Sequence, residues 1–263
     1  MLIGRVKYQE KIIPVVFDKK KGKVFEIFTE IEEVIENFDA SVEISSTGIP
    51  IEDVDILIPI NPSKIIGIGR NYVGHVKELG NEIPEEPVIF FKPPSSLTNH
   101  NGKVIYPPQT NRLEYEGELA LVMKRKTKNA SAEKIEEKPD FYFAYTSFLD
   151  MTARDIQKTE DVWAKSKGFD TFGPLGPWIN LDPLPDSLEI KTFLNDELRQ
   201  EDNISNMIFK PAFLVEYVSK YMTLEIGDII ITGTPEGVGT VDDGDKIRLE
   251  ITNLENLEIE IKK

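Results

Sequence analysis

Apolar residues in this chain recur in short alternating runs that are separated by charged turns, glycine and proline. Such alternation places every second side chain on one face and is typical of strands that bury a single face. In the leading segment the pattern predicts three strands and one short helix, at residues 3–6, 12–17, 24–28 and 31–38. Residues 45–50 are rich in turn formers, and Pro59 and Pro62 mark a boundary. We therefore expect a small N-terminal domain at 1–58 and a main domain at 59–263.

From Lys64 onward the apolar runs are of buried-strand length, and helical spacing becomes clearer. The predicted strands are residues 64–69, 88–91, 103–106, 118–123, 141–148 and 228–232, with a terminal pair in DKIRLEI and LEIEIK. The predicted helices are residues 70–80, 151–159 and 211–222, the last with proline at its start. This pattern predicts an α+β fold dominated by β-structure, because strand and helix alternate too irregularly for a TIM barrel or a doubly wound sheet.

Composition excludes several classes of chemistry. The net charge is −15, so the chain should repel nucleic acid and anionic membranes. It has no cysteine and only two histidines, which rules out disulfides, cysteine nucleophiles and the usual zinc sites. No apolar run approaches a membrane span, and the N-terminus lacks a signal-peptide pattern, so we expect a cytoplasmic protein. A bound metal would have to rely on carboxylates, which favours Mg²⁺, Mn²⁺ or Ca²⁺.

Two glycine-rich stretches fail as nucleotide motifs. In GIGRNY the third glycine of a dinucleotide fingerprint would fall at Tyr72, and in GTPEGVG the second glycine of a phosphate loop would fall at Val238. The sequence therefore gives no nucleotide-binding signal.

Acidic residues mark a candidate metal site. Glu116 and Glu118 are two apart, so on a strand they share a face and repel each other unless a cation lies between them. An exposed strand edge with solvated acids is the simpler interpretation of the pair alone. Asp150 follows a β-prone aromatic run and precedes a helical pattern, where an aspartate commonly caps the helix. The metal interpretation and the simpler ones stay open at this stage.

Further polar residues could handle a substrate. Arg154 and Gln157 would share the helical face of Asp150, and arginine suits a carboxylate, although an Asp150–Arg154 ion pair is an alternative. Lys167 lies in a segment dense in glycine, proline and aromatics, which predicts a rigid loop that could present it to an enolate or a carboxylate. A surface lysine is the alternative.

One histidine has a carboxylate neighbour. His75 and Glu78 are three apart on a predicted helix, so the carboxylate could orient the imidazole and raise its basicity. Such a dyad suits general-base catalysis, although most His–Glu pairs on helices are surface pairs.

Taken together and in order, six motifs resemble the fumarylacetoacetate hydrolase superfamily over roughly residues 62–263. The motifs are GIGRNYVGHVKE, PVIFFKPPSSL, LEYEGELALV, YTSFLDMTARDIQ, KGFDTFGPLGPW and ITGTPEGVG. The resemblance implies a mixed β-roll with a small N-terminal domain, commonly a homodimer. Leu149-Asp150-Met151 stands where Asn-Asp-Val is commoner, which leaves the aspartate intact.

The resemblance also assigns roles to individual residues. It implies that a divalent ion, usually Mg²⁺ or Mn²⁺, is held by Glu116, Glu118 and Asp150, with Lys167 beside it. Arg154, Gln157 and Thr234 match substrate-contacting positions. His75 and Glu78 resemble the dyad of the acylpyruvase-like members, on a segment that can close over the site.

These assignments imply an enzyme of 2-oxo acids that works through a metal-stabilised enolate. Because the dyad would supply a base, hydrolysis of a C–C bond in acylpyruvate-type substrates is the first expectation. Alternatives are a 2-hydroxyhepta-2,4-diene-1,7-dioate isomerase, an oxaloacetate-type decarboxylase and a 2-keto-3-deoxy sugar acid dehydratase. A non-catalytic metabolite-binding protein is the alternative from a different class.

Overall fold

The computed structural model describes residues 1–38 and 42–263. Strands make up about 40% of it and helices about 19%, which confirms a β-dominated α+β fold. Over the described residues the helices are α1 Ile31–Glu36, α2 Val73–Glu78, α3 Ala132–Glu137, α4 Pro139–Tyr142, α5 Arg154–Gln157, α6 Ala164–Lys167 and α7 Pro211–Tyr221, with short 3₁₀ turns at Ile51–Asp53, Pro94–Ser96 and Ile204–Asn206.

The strands, in chain order over the same residues, are β1 Leu2–Tyr8, β2 Lys11–Asp18, β3 Lys23–Ile27, β4 Ile44–Pro50, β5 Asp55–Ile56, β6 Ile65–Gly69, β7 Val88–Lys92, β8 Leu97–Thr98, β9 Gly102–Ile105, β10 Leu113–Tyr115, β11 Gly117–Met123, β12 Phe143–Leu149, β13 Thr152–Ala153, β14 Gly173–Pro174, β15 Ile179–Asn180, β16 Glu189–Leu194, β17 Glu197–Asn203, β18 Ile229–Ile231, β19 Gly239–Thr240, β20 Lys246–Ile251 and β21 Leu257–Lys262.

One large mixed sheet runs through most of the chain. Its strands follow the order β4-β3-β2-β1-β15-β12-β11-β18-β6-β7, and β5 pairs with β1. A second sheet has the order β17-β16-β20-β21-β9, and the smaller sheets are β13-β10-β19 and β14-β8. The leading strands join the large sheet directly, because Leu2 pairs with Asn180 and Ile3 with Ile179. The domain boundary at 58 stays a prediction.

The central strand β11 shows how the sequence builds the core. All seven of its residues are buried, and successive side chains point to opposite faces. Leu119, Leu121 and Met123 pack into one hydrophobic cluster, whereas Ala120 and Val122 pack into another. Glu118 lies on the Ala120 face, so the strand delivers a carboxylate to one end of an otherwise apolar row.

Several sequence predictions were wrong in detail. Residues 45–50, predicted as a turn-rich stretch, lie in β4 Ile44–Pro50, which pairs with β3 through Val24 and Ile49. Strands β16 and β17 were missed, because the buried side of β16 includes Thr192 and the buried residue of β17 is the polar Gln200, so neither strand shows a continuous apolar row. The predicted helix at 151–159 is shortened to α5, since Thr152 and Ala153 form β13 against β10. No helix in the described ranges is long and apolar enough to cross a membrane.

Candidate active site

Strand pairing brings the three predicted metal carboxylates together. Strands β11 and β12 are antiparallel and pair Glu118 with Phe148. The backbone amide of Asp150 continues this ladder and donates to the Glu116 carbonyl oxygen at 2.8 Å. Glu116 therefore lies two residues from Glu118 and directly across from Asp150. One carboxylate oxygen from each of the three lies within 4.8 Å of the others, and all three side chains are buried.

This pairing corrects the predicted surroundings of Asp150. The residue lies between β12 and β13 and does not cap a helix, because the residue that precedes α5 is Ala153. The helical face predicted for Asp150, Arg154 and Gln157 does not form, and the alternative Asp150–Arg154 ion pair does not form either. Arg154 instead donates from Nε to Glu114 at 2.5 Å and from Nη2 to Glu116. Its Nη1 donates to Gln157 Oε1 at 2.5 Å.

Two buried lysines contact the carboxylates. Lys167, at the end of α6, donates from Nζ to Glu116 Oε2 at 2.7 Å and to Asp150 Oδ2 at 2.5 Å. The predicted loop at Lys167 is in fact one short helical turn. Lys92, which the sequence analysis did not single out, lies 2.7 Å from Asp150 Oδ1. The sequence feature that could have identified Lys92 is its position at the end of the apolar strand VIFFK.

Neighbouring charges shift the pKa values of Glu116 and Glu118 in opposite directions. Burial raises the pKa of Glu116, but the charges of Lys167 and Arg154 outweigh burial and hold it well below its usual range. Glu118 lacks such a partner, and its Oε2 accepts from the Gly233 backbone amide at 2.6 Å. Burial and the like charges of Asp150 and Glu116 raise the pKa of Glu118 well above its ordinary value.

The donor set fits a hard divalent ion. The three converging groups are all carboxylates, and hard cations such as Mg²⁺, Mn²⁺ and Ca²⁺ take oxygen ligands. Asp150 Oδ1 is buried and lies 2.7 Å from the Lys92 ammonium, so this carboxylate is held at the centre of the donor set. A cation among the three groups would also relieve the repulsion that raises the pKa of Glu118.

A cleft of about 490 Å³ opens above the carboxylates. The predicted site residues that line it are His75, Glu78, Glu116, Glu118, Arg154, Gln157, Lys167 and Thr234. Asp150 lies below the surface of the cleft, at zero exposure. The fold therefore brings every predicted site residue to one place.

The predicted dyad forms on α2 at the side of the cleft. His75 Nδ1 lies 3.3 Å from Glu78 Oε2, and the histidine is only 6% exposed. The other oxygen of Glu78 accepts from the Gly237 backbone amide at 3.0 Å. This contact connects the dyad to the loop that carries Thr234.

Thr234 is held by a buried glutamine that the sequence analysis missed. Its hydroxyl donates to the Gly117 carbonyl oxygen at 2.9 Å and accepts from Gln200 Nε2 at 2.7 Å. Gln200 Oε1 in turn accepts from the Gly117 amide at 3.0 Å. One side chain from β17 thus fixes both Thr234 and the residue between the two glutamates. No sequence signal marked it, because β17 reads as a charged segment.

The glycines of GIGRNY make room for aromatic side chains. A Cβ at Gly67 would lie 2.1 Å from the ring of Phe90, and one at Gly69 would lie 2.8 Å from Trp163. Phe90 and Trp163 pack against each other and line the cleft, and Lys167 Nζ lies 4.9 Å from the Phe90 ring centroid. The motif that fails as a nucleotide signal therefore shapes the cleft wall.

The structure defines a class of protein: a β-dominated α+β fold with three buried, converging carboxylates below a polar cleft. Within that class the chain belongs to the fumarylacetoacetate hydrolase family, because residues 64–262 match the family model described as fumarylacetoacetate (FAA) hydrolase C-terminal. The resemblance inferred from the six sequence motifs is thereby confirmed.

Relatives that are named for different activities share similarity with this chain. The chain is 43% identical over 213 residues to "Oxaloacetate tautomerase FAHD2, mitochondrial" of Oryza sativa subsp. japonica, covering 76% of this chain and 92% of that protein. A structure of 2-hydroxyhepta-2,4-diene-1,7-dioate isomerase from Mycobacterium marinum is 32% identical, with a TM-score of 0.87 over 100% of this chain and 98% of that one. Fumarylpyruvate hydrolase from Pseudomonas aeruginosa, in complex with Mn²⁺ and pyruvate, is 29% identical, with a TM-score of 0.71 over 83% of this chain and 92% of that one.

Proposed function

We propose that this protein is a divalent-metal-dependent enzyme of 2-oxo acids that works through an enolate, and that it hydrolyses C–C bonds in acylpyruvate-type substrates. The observation that carries the proposal is that the His75–Glu78 dyad and Lys167 line the same cleft as Glu116 and Glu118. Asp150 lies directly beneath that cleft. A base, a cation and a hard-metal site within one cleft are the parts that such a hydrolysis requires.

The residues that would hold the ion are Glu116, Glu118 and Asp150. When bound, a divalent cation there supplies Lewis-acid stabilisation of the negative charge on an enolate. We propose Mg²⁺ or Mn²⁺, with Ca²⁺ also compatible with three oxygen donors. The fumarylpyruvate hydrolase structure in complex with Mn²⁺ supports this proposal.

The His75–Glu78 dyad would remove a proton from the attacking water. Because Glu78 Oε2 lies at His75 Nδ1, the carboxylate can fix the imidazole tautomer that leaves Nε2 unprotonated. That nitrogen could remove a proton from water, which then attacks the distal carbonyl carbon of an acylpyruvate. The C–C bond breaks, the enol of pyruvate leaves, and a carboxylic acid is the second product. The bond from Gly237 to Glu78 holds the dyad against the loop of Thr234.

Cationic and polar side chains would bind the substrate. Lys167 presents a buried ammonium that could stabilise developing negative charge, and its pKa is raised because Asp150 and Glu116 outweigh the effect of burial. Arg154 uses three of its donor groups on Glu114, Glu116 and Gln157. Since a guanidinium has five N–H groups, two remain for a substrate carboxylate.

Keto–enol tautomerisation of an oxaloacetate-type acid is the second candidate. The relatives from Oryza sativa and Arabidopsis thaliana named as oxaloacetate tautomerases are 41–43% identical to this chain, which favours this reaction. The same dyad could carry the proton between carbon and oxygen, and the same ion could hold the enolate. A homodimer and a cytoplasmic location remain predictions from the sequence.

His75→Ala separates these reactions from one another. With Mn²⁺ saturating, the variant is assayed on acetylpyruvate hydrolysis, oxaloacetate tautomerisation and oxaloacetate decarboxylation. Removal of a general base typically costs about 10²–10⁴-fold in rate. A loss of this size confined to acetylpyruvate supports hydrolysis, whereas a loss confined to oxaloacetate tautomerisation supports the second candidate.

The matched control is His100→Ala, which removes the other histidine. His100 accepts a backbone hydrogen bond from Glu258 and does not line the cleft, so all three rates should be unchanged. Equal losses on every substrate in His75→Ala would contradict the base role. No turnover by the wild type with Mn²⁺ on any 2-oxo acid tested would favour the non-catalytic binding protein.

A further inference from the structure

Lys92 is a completely buried lysine at the end of β7. Its side chain has zero exposure, and it follows the apolar residues of the same strand. Burying an ammonium group is costly unless it is paired and hydrogen-bonded. A lysine in this position therefore needs partners that offset the free-energy cost of burying its ammonium group.

Its partners all belong to the region of the carboxylates. Lys92 Nζ lies 2.7 Å from Asp150 Oδ1 and donates to the backbone carbonyl oxygens of Lys167 at 2.5 Å and Met151 at 3.4 Å. Strand β7 is four positions from β12 in the large sheet, which would be about 19 Å in a flat sheet. The curled sheet brings Lys92 back to the end of β12.

Lys92 and Lys167 both contact Asp150, and Lys92 also contacts the backbone of Lys167. The side chain of Lys167 is held by Glu116 and Asp150, and its backbone carbonyl, the last of α6, is held by Lys92. Asp150 is likewise flanked by the two lysines, one at each carboxylate oxygen. Moving Lys92 would release both the carboxylate and the turn that carries Lys167.

We propose that Lys92 is a positioning residue that fixes the Asp150 carboxylate for the metal ion and the Lys167 turn for the substrate. This inference rests on the proposed metal site. The alternative role is a counter-charge that only neutralises Asp150. The two roles differ in sign: losing a nearby positive charge alone should strengthen cation binding, whereas losing a positioning contact should weaken it.

The test is Lys92→Met, which removes the ammonium with little change in volume. Mn²⁺ affinity is measured by calorimetry, and folding is checked by circular dichroism. We expect the Mn²⁺ dissociation constant to rise about 10–100-fold, as is typical when a partner of a metal ligand is removed. Unchanged or tighter Mn²⁺ binding by the folded variant would overturn the proposal.

The chain offers a matched control in Lys64→Met. Lys64 also pairs with a fully buried aspartate, Asp228, but neither residue lines the cleft. This variant should bind Mn²⁺ like the wild type. Should Lys92→Met not fold, Lys92→Leu is measured in the same way, since it also lacks any donor for Asp150 and for the backbone carbonyl oxygens of Lys167 and Met151. Unchanged or tighter Mn²⁺ binding by that variant would likewise overturn the proposal.

Chemical rescue separates positioning from general structural damage. The chain contains no cysteine, so in Lys92→Cys a single thiol is introduced. Alkylation with bromoethylamine in denaturant, followed by refolding, restores an ammonium on a side chain of nearly lysine length. Mn²⁺ affinity should return to within about threefold of the wild type, while the same variant alkylated to an uncharged S-propyl group should stay weak. Equal affinity of the two alkylated forms would contradict the role of the ammonium.

The outcomes also distinguish this inference from the proposed function. Absence of Mn²⁺ binding by the wild type would reject the proposed metal site itself. Normal binding by the wild type together with normal binding by Lys92→Met would reject only the positioning role.

Discussion

Glu118→Gln should change the stability of the metal-free protein and its metal affinity in opposite directions. The substitution preserves shape, and the amide oxygen can still accept the hydrogen bond from Gly233. Two carboxylates within 4.8 Å repel by about 3.5 kcal/mol at an effective dielectric constant of 20. Lys167 offsets only part of this repulsion, and we expect the metal-free variant to be more stable than the wild type by about 1 kcal/mol at pH 7, or roughly 2–4 °C.

The stability advantage of metal-free Glu118→Gln over the wild type should increase as pH rises. The pKa of Glu118 is raised in the folded protein, so between the ordinary glutamate pKa of 4.5 and the raised value the native state binds more protons than the unfolded state. The free energy of unfolding of the metal-free wild type therefore falls across this range as pH rises. The advantage of Glu118→Gln should be small near pH 4.5 and should grow toward neutral pH.

With Mn²⁺ present, the wild type should be more stable than Glu118→Gln. Mn²⁺ at 100 times its dissociation constant stabilises the wild type by about 2.7 kcal/mol, which is roughly 5–10 °C in melting temperature. Loss of one anionic ligand should weaken affinity at least about 100-fold, since changes behind the ligands already cost 10–100-fold. At the same Mn²⁺ concentration the variant would then gain only about 0.4 kcal/mol, or roughly 1 °C.

Thermal unfolding with a chelator and with Mn²⁺, together with calorimetry, measures both effects. Glu137→Gln is the control, because it makes the same change at an exposed position of α3 and should alter neither quantity. An undiminished Mn²⁺ shift in Glu118→Gln would refute the assignment of Glu118 as a ligand. A metal-free variant that melts below the wild type at pH 7 would refute the electrostatic reasoning.

Two further predictions follow from buried contacts. Lys167→Met should lower kcat by about 10²–10³-fold with the fold retained, whereas Lys165→Met, at an exposed neighbour, should leave kcat unchanged; near-normal turnover in Lys167→Met would return this lysine to a structural role. Gly67→Ala should lower the free energy of unfolding by about 1–3 kcal/mol, because its Cβ would meet the Phe90 ring. Denaturant unfolding checks this value, and an equal loss in a Phe90→Leu background would show that the clash is not the cause.

Local sequence patterns were sufficient to predict most elements whose alternation is apolar. Strands β1, β2, β3, β6 and β11 and helix α7 all agree with the predicted segments to within a few residues, because burial of one face imposes the pattern. Strands β16 and β17 were missed because polar Thr192 and Gln200 occupy buried positions where the pattern expects apolar residues. The helix expected at Asp150 was wrong because strand pairing at Thr152 overrides local helical spacing.

The sequence by itself determined the chemical type of the candidate site. Without cysteine, and with two histidines, the chain can offer a metal little besides carboxylates, and the spacing of Glu116 and Glu118 already places both on one face. The i, i+3 spacing of His75 and Glu78 likewise defines a local pair. Such features depend on residues close in the chain, for which backbone geometry alone fixes the neighbours.

Only the tertiary structure decided which distant residues meet. The pairing of Glu116 with Asp150 depends on the register of β11 and β12, since a shift by one residue would turn every side chain to the other face. The approach of Lys92 to Asp150 depends on the curl of the large sheet, and Gln200 reaches Gly117 from a second sheet. These contacts result from long-range pairing and packing, which no local spacing in the sequence encodes.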